Sequence, residues 1–152
     1  MTEQSNLFQN KTTAEPLAHR MRPKNWQDWV GHDKWLGMTA PLRKWIENKS
    51  LPSLLLWGPP GVGKTSLALL IAEQLGDAFI HLSAVTSGVK DIKEAADKAT
   101  RYREMGRKTI LFFDEIHRLN KGQQDALLPF VENGLLTFFA CFIERRHTRT
   151  QF

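Results

Sequence analysis

Two short blocks hold the residue types best suited to chemistry. Gly58-Pro59-Pro60-Gly61-Val62-Gly63-Lys64-Thr65 satisfies the spacing G-x-x-x-x-G-K-[ST]. Glycines at this spacing let the backbone curl until successive N–H groups point at phosphate oxygens, and a following helix adds the positive end of its dipole. Lys64 then reaches the β- and γ-phosphates and the Thr65 hydroxyl ligates Mg²⁺, with Ser66 completing the phosphate-binding run. The second block, Asp114-Glu115, follows the apolar residues 110–113. A carboxylate at the end of a neighbouring strand suits the metal, met through water because Mg²⁺ sheds its hydration reluctantly. Glu115 is placed to orient and deprotonate an attacking water. Two acids after a strand can instead serve as a helix N-cap and its neighbour; the phosphate loop upstream favours the metal.

These blocks need strands and helices to hold them. Residues 54–57, Leu-Leu-Leu-Trp, are wholly apolar and end at glycine, as a buried parallel strand does. Leu67, Leu70, Ile71 and Leu75 recur at helical spacing, and Gly76 supplies the stop. Residues 78–82 read as a second strand. Val89, Ile92, Ala96, Ala99 and Tyr102 describe an amphipathic helix that closes near Gly106. Residues 109–113 form a third strand leading into Asp114. A helix is expected from about Lys121 to Glu132, bent or shortened by Pro129, and a fourth strand across 135–143. Pro41 opens a short helix with Leu42, Trp45 and Ile46 on its apolar face. Trp26, Trp29, Trp35 and Trp45 are expected as core anchors rather than a base-stacking platform. Strands alternating with helices imply a parallel sheet covered on both faces, an α/β fold.

At 152 residues the chain is about one domain long. Residues 1–15 are polar and read as a flexible leader. No run of 18 apolar residues occurs, which excludes a membrane-spanning helix, and the amino terminus has neither the basic start nor the apolar core of a secretory signal. Cys141 is the single cysteine, so disulfides within the chain and cysteine-based zinc sites are excluded. These features point to the cytoplasm. The net charge of +5 is compatible with an anionic partner, although Arg145, Arg146 and Arg149 supply much of the excess.

Four stretches carry a resemblance: Pro16-Leu17-Ala18-His19-Arg20-Met21-Arg22-Pro23; residues 54–65; Leu82-Ser83-Ala84-Val85-Thr86-Ser87-Gly88-Val89-Lys90; and residues 110–132, including Asp114-Glu115-Ile116-His117 and Gln123-Gln124-Asp125. Across residues 16–138 the chain resembles the AAA+ ATPases, in their clamp-loader-like group, and within it the replication-associated recombination ATPases related to the Werner-helicase-interacting ATPase. The phosphate loop and acidic strand are common to many ATPases; the first and third stretches are more specific. The resemblance implies a three-layer P-loop fold, ATP and Mg²⁺ as cofactors, and ring-shaped homo-oligomers acting on DNA at stalled forks and gaps. It implies that Arg22, Pro23, Val30 and Gly31 pack around the adenine, and that Ser83 lies near where relatives place a polar residue that senses the catalytic glutamate. Gln4-Ser5-Asn6-Leu7-Phe8 resembles the peptide by which bacterial proteins dock on the sliding clamp, with Gln4, Leu7 and Phe8 as its anchors.

Other P-loop classes fit less well. Asn120-Lys121-Gly122-Gln123 begins like the base-reading N-K-x-D of GTPases but has Gln123 in place of the aspartate. Asp114-Glu115-Ile116-His117 matches a DExH helicase, against which stand the double proline of the loop and the lack of a Ser-Ala-Thr segment. After residue 138 the resemblance stops: relatives continue into Gly-Ala-Thr-Thr-Glu-Asn-Pro, with a polar residue at the γ-phosphate, where this chain has a basic tail over 139–152. A shifted reading frame or truncation is expected, leaving the fold incomplete at its C-terminal end and hydrolysis by these residues feeble or absent. The alternatives are a nucleotide-binding remnant without turnover and a clamp-tethered module.

Overall fold

The computed structural model of the protein describes residues 17–31 and 33–143. The leader, the Gln4, Leu7 and Phe8 motif, and residues 144–152 lie outside the described residues. Three short helices come first: α1 (Leu17–Arg20), α2 (Asp33–Leu36) and α3 (Pro41–Glu47). The rest alternates: β1 (Leu54–Gly58), α4 (Lys64–Leu75), β2 (Ala78–Ser83), α5 (Val89–Glu104), β3 (Thr109–Asp114), α6 (Lys121–Glu132) and β4 (Thr137–Ile143). The four strands form one wholly parallel sheet in the order β1-β4-β3-β2. Leaving β1, the chain crosses to the far edge for β2 and then returns inward, so the C-terminal ends of β1 and β3 flank that of β4.

Register decides which side chains share a face. Leu54 and Leu56 of β1 align with Phe139 and Cys141 of β4. Phe139 aligns with Phe112 of β3, and Phe112 with His81 of β2. This face packs on α3 and α4 through Leu42, Ile46, Ala68 and Ile71. The opposite face, with Leu111, Phe113 and Leu82, packs on Ile92, Ala95 and Ala99 of α5 and Leu127 of α6. The second helix layer stops short of β1. Leu55 and Trp57, which point to that side, therefore stand 66% and 64% exposed, although residues 54–57 read as a buried strand. The apolar run describes a strand covered on both faces; here β1 is an edge strand among the described residues.

Three further differences have local causes. The fourth strand starts at Thr137 rather than Leu135, because the Leu136 N–H is already donated to Phe130 O of α6, at 3.1 Å. It also runs through the boundary drawn at residue 138: Phe139, Ala140 and Cys141 are buried between β1 and β3, and the strand continues to Ile143, so 139–143 belong to the sheet, not to a tail. Pro129 does not shorten α6, which spans Lys121–Glu132 around it. Both Pro129 and Asp125, whose carbonyl loses its usual partner, are exposed, and water can satisfy that group. Of the tryptophans, Trp26 and Trp29 pack partly buried against the first core cluster, whereas Trp45 is 41% exposed while its helix neighbours Leu42 and Ile46 are buried.

The Asn120-Lys121-Gly122-Gln123 segment turns out to be a helix start. Asn120 Oδ1 accepts from Gln123 N–H at 2.8 Å, and Gln123 Oε1 accepts from Asn120 N–H at 2.9 Å, a reciprocal capping box for α6. The Gln123 amide also donates to the carbonyls of Ala84 and Ser87. One buried side chain thus pins the loop after β2, part of one of the two more specific stretches of the sequence, to α6. Gln123→Ala strands both the cap and these loop carbonyls. Each lost bond at a buried polar group costs about 1–3 kcal/mol, so a loss of at least that size in urea unfolding is expected; an unchanged midpoint would contradict the role.

Candidate functional site

The loop leaving β1 is shaped by its glycines. Gly61 and Gly63 have φ of +78° and +88°, where a side chain is strained. At Gly63 space is also tight: a Cβ would stand 3.3 Å from the Trp29 ring, which packs on the loop. Gly63 is the N-cap of α4 and offers no side-chain cap, so the first N–H groups of this twelve-residue helix are left for an outside acceptor. The Lys64 ammonium folds over the loop and donates to Gly58 O at 2.9 Å and Pro59 O at 2.7 Å. A cation, uncapped helix N–H groups and a left-handed backbone cradle together suit the phosphates of a nucleotide. Thr65 and Ser66 follow in the first turn of α4, half-buried.

Asp114 ends β3 on the same face of the sheet as Cys141 and His81. Its side chain is 29% exposed; His81 Nε2 lies 3.1 Å from Oδ2, and the Cys141 thiol of β4 is its neighbour on the other side. Burial pushes the Cys141 thiol up to about 12; the Lys64 ammonium opposes this, and the Asp114 and Glu115 carboxylates add to it. The thiol is therefore neutral and a donor at ordinary pH, and its contribution to stability is complete below its unfolded value near 9 and lost as pH rises toward 12. These same neighbours show that Cys141 stands among Lys64, Asp114 and Glu115. The phosphate loop and the two acids thus follow the ends of β1 and β3, the strands on either side of β4.

Glu115 has φ +53° and heads the 3-10 turn Ile116–Arg118 without a side-chain capping bond. The capping role open to an acid at this position is not used. A left-handed, non-glycine residue costs about 1–2 kcal/mol, a strain of the kind that collects at functional sites. Ser83 Oγ accepts from Val85 N–H at 3.3 Å, within its own loop.

An apolar cleft of about 500 Å³ opens beside the phosphate loop, lined by Trp29, Leu42, Trp45, Leu56 and Trp57 with Gly63 and Lys64. The adenine-side residues expected from the resemblance are not among its walls. Val30 is 94% exposed and Gly31 sits at φ +94°, while Arg22 and Pro23 are half-buried elsewhere. It is their neighbour Trp29 that reaches the loop.

Comparison with known proteins follows the same geometry. The family model of the Holliday junction DNA helicase RuvB P-loop domain matches residues 21–141. The chain belongs to the RuvB P-loop domain family of AAA+ ATPases. It is 50% identical over 132 residues to replication-associated recombination protein A of Escherichia coli (strain K12), covering 87% of this chain and 30% of that protein. To ATPase WRNIP1 of Dictyostelium discoideum it is 46% identical over 137 residues, 90% of this chain and 16% of that one. The Thermotoga maritima RuvB Holliday junction branch migration motor superposes with a TM-score of 0.62 at 29% identity, covering 80% of this chain and 42% of that one. The chain spans about 30% of the length of the bacterial relatives it matches. These matches fall on the AAA+ side of the P-loop ATPases, not with the DExH class.

Within this family member, the sequence pattern marks the loop and both acids as candidates and gives little sign of what surrounds them. Trp29, His81, Cys141 and Gln123 each act through a partner distant in sequence. Only Gln123 left a signal, as the last residue of an N-cap pattern that begins three positions earlier at Asn120. Among the described residues, no helix is long and apolar enough to cross a membrane.

Proposed function

We propose that this chain binds Mg²⁺-ATP, and that its activity is ATP hydrolysis coupled to DNA in replication-fork maintenance, recombination and repair. The observation that carries this reading is the placement of the phosphate loop and of Asp114-Glu115 after the C-terminal ends of β1 and β3, the two strands that flank β4, with the uncapped start of α4 at the end of that loop. Lys64 and the loop N–H groups of residues 61–65 hold the phosphates, with Ser66 behind them. Thr65 and Asp114 hold the Mg²⁺ and its water, and the ion supplies charge neutralisation at the β- and γ-phosphates. Glu115 accepts a proton from the attacking water. Trp29 shields the adenine side, where Arg22, Pro23, Val30 and Gly31 gather once the base is seated. DNA as the partner rests on the named relatives and on the basic balance of the chain.

A ring-shaped homo-oligomer, docking on a sliding clamp through Gln4, Leu7 and Phe8, and a bacterial cytoplasmic location at the fork belong to the same proposal. One observation favours weak turnover, the second reading. At the site β4 presents the Cys141 thiol, a weak donor, and its next residue, Phe142, turns away to meet His117 with ring centroids 5.0 Å apart. No carboxamide or hydroxyl from β4 faces the γ-phosphate position. Phosphate release by the purified 152-residue chain, with and without forked DNA, separates the two. DNA-stimulated release supports the coupled ATPase, nucleotide binding with no release supports the binding element, and failure to bind ATP removes both.

A further inference from the structure

The nucleotide reading leaves one contact at its own centre without a role. Asp114 is touched from β2 by His81, whose Nε2 lies 3.1 Å from Oδ2. A carboxylate only accepts, so Nε2 carries the hydrogen and His81 is the donor. The ring is held in place: it stands edge-on to Phe112 with centroids 5.2 Å apart, and Phe112 is wholly buried. The register explains the reach. His81 aligns with Phe112, two residues before Asp114, so the histidine leans along the strand toward the carboxylate on the same face.

A structural tie between β2 and β3 does not need this bond, because the two strands already align at six residue pairs. What the bond does determine is the carboxylate's orientation. Asp114 is the last residue of its strand and partly open to solvent. Without fixed partners its side chain samples several rotamers. With Oδ2 engaged from β2 and the Cys141 thiol approaching from β4, the direction of the remaining lone pairs is fixed before any ion arrives. Carboxylates that serve metals depend on such outer partners for affinity.

We propose that His81 is a positioning residue for the metal carboxylate: its Nε2–H holds Asp114 Oδ2 and leaves Oδ1 aimed at the hydration shell of Mg²⁺. This rests on the reading of Asp114 as the Mg²⁺ carboxylate. His81→Phe keeps a ring against Phe112 and deletes the donor. His81→Gln removes the ring but restores an N–H at similar reach. The probe is a fluorescent ATP analogue bound to the whole chain and titrated with MgCl₂, repeated with Mn²⁺ followed by electron paramagnetic resonance.

His81→Phe is expected to raise the half-saturating Mg²⁺ on the order of tenfold, the lower end of what a lost outer partner costs. His81→Gln is expected to recover most of that shift. Nucleotide affinity in EDTA and the melting temperature are expected to stay as in the parent. An unshifted Mg²⁺ midpoint in His81→Phe, alongside a response abolished by Asp114→Asn, overturns the role of His81 and leaves the metal reading standing. A glutamine variant as weak as the phenylalanine one also overturns it. If the parent chain ignores Mg²⁺ and Asp114→Asn changes nothing, the metal reading fails first and the inference with it.

Discussion

Lys64→Ala is expected to weaken ATP binding by about two to three orders of magnitude. The lysine is the only side-chain cation among the described residues seen to bond to the phosphate loop, and hydrogen bonds to charged groups contribute about 1.5–3 kcal/mol each. Two such bonds to phosphate oxygens amount to roughly 3–6 kcal/mol, and each 1.4 kcal/mol is about tenfold in affinity. The present bonds from Nζ to Gly58 O and Pro59 O must be exchanged for those to phosphate, which holds the net effect toward the lower half of that range. Removing the ammonium also leaves the carbonyls of Gly58 and Pro59 to water. Isothermal titration with ATP measures the effect. An affinity within about threefold of the parent, far below the loss expected of two charged bonds, means that Lys64 does not meet the phosphates.

Glu115→Gln is expected to reduce ATP turnover by about 10²–10⁴, the usual contribution of a general base, while leaving ATP affinity nearly unchanged. The substitution keeps size and backbone and removes only the ability to take a proton. Glu115→Gly makes a useful contrast. At φ +53° glycine relieves about 1–2 kcal/mol of left-handed strain, against about 0.5–1 kcal/mol of added chain freedom in the unfolded state. Stability is therefore expected to hold or rise as turnover is lost, the pattern of a residue kept for chemistry at some cost to the fold. Should the glutamine variant turn over at the parent rate, the base lies elsewhere. If Glu115→Gly unfolds more readily than the parent, the glutamate is structural.

The phosphate-loop and acidic patterns were legible because they are local. The glycines of 58–63, with Lys64 and Thr65, form a phosphate cradle within eight consecutive residues, and the fold supplies a strand before and a helix after. Asp114 and Glu115 announce themselves by ending the apolar run 110–113, whose members are all buried. Helix bounds were readable for α4 and α5 because apolar spacing and the stops at Gly76 and Gly106 act within a turn or two. Strand order was not. The apolar text of residues 54–57 and of 137–143 is much alike, yet β4 lies in the middle of the sheet and β1 at its edge. A strand's own residues give its period and its affinity for cover, not which neighbours provide the cover; hence the misjudged exposure of Trp57 and the boundary misplaced at residue 138.

Sequence alone therefore determined the class of fold, the phosphate loop and the pair of acids, since each depends on contacts a few residues apart. Tertiary structure alone decided that His81, 33 residues before Asp114, would hold its carboxylate and that Cys141 would stand between the loop and the acids. It also decided that Trp29, not Val30 or Gly31, would close on Gly63. These pairings follow from parallel register and strand order, which long-range packing selects and no local pattern encodes.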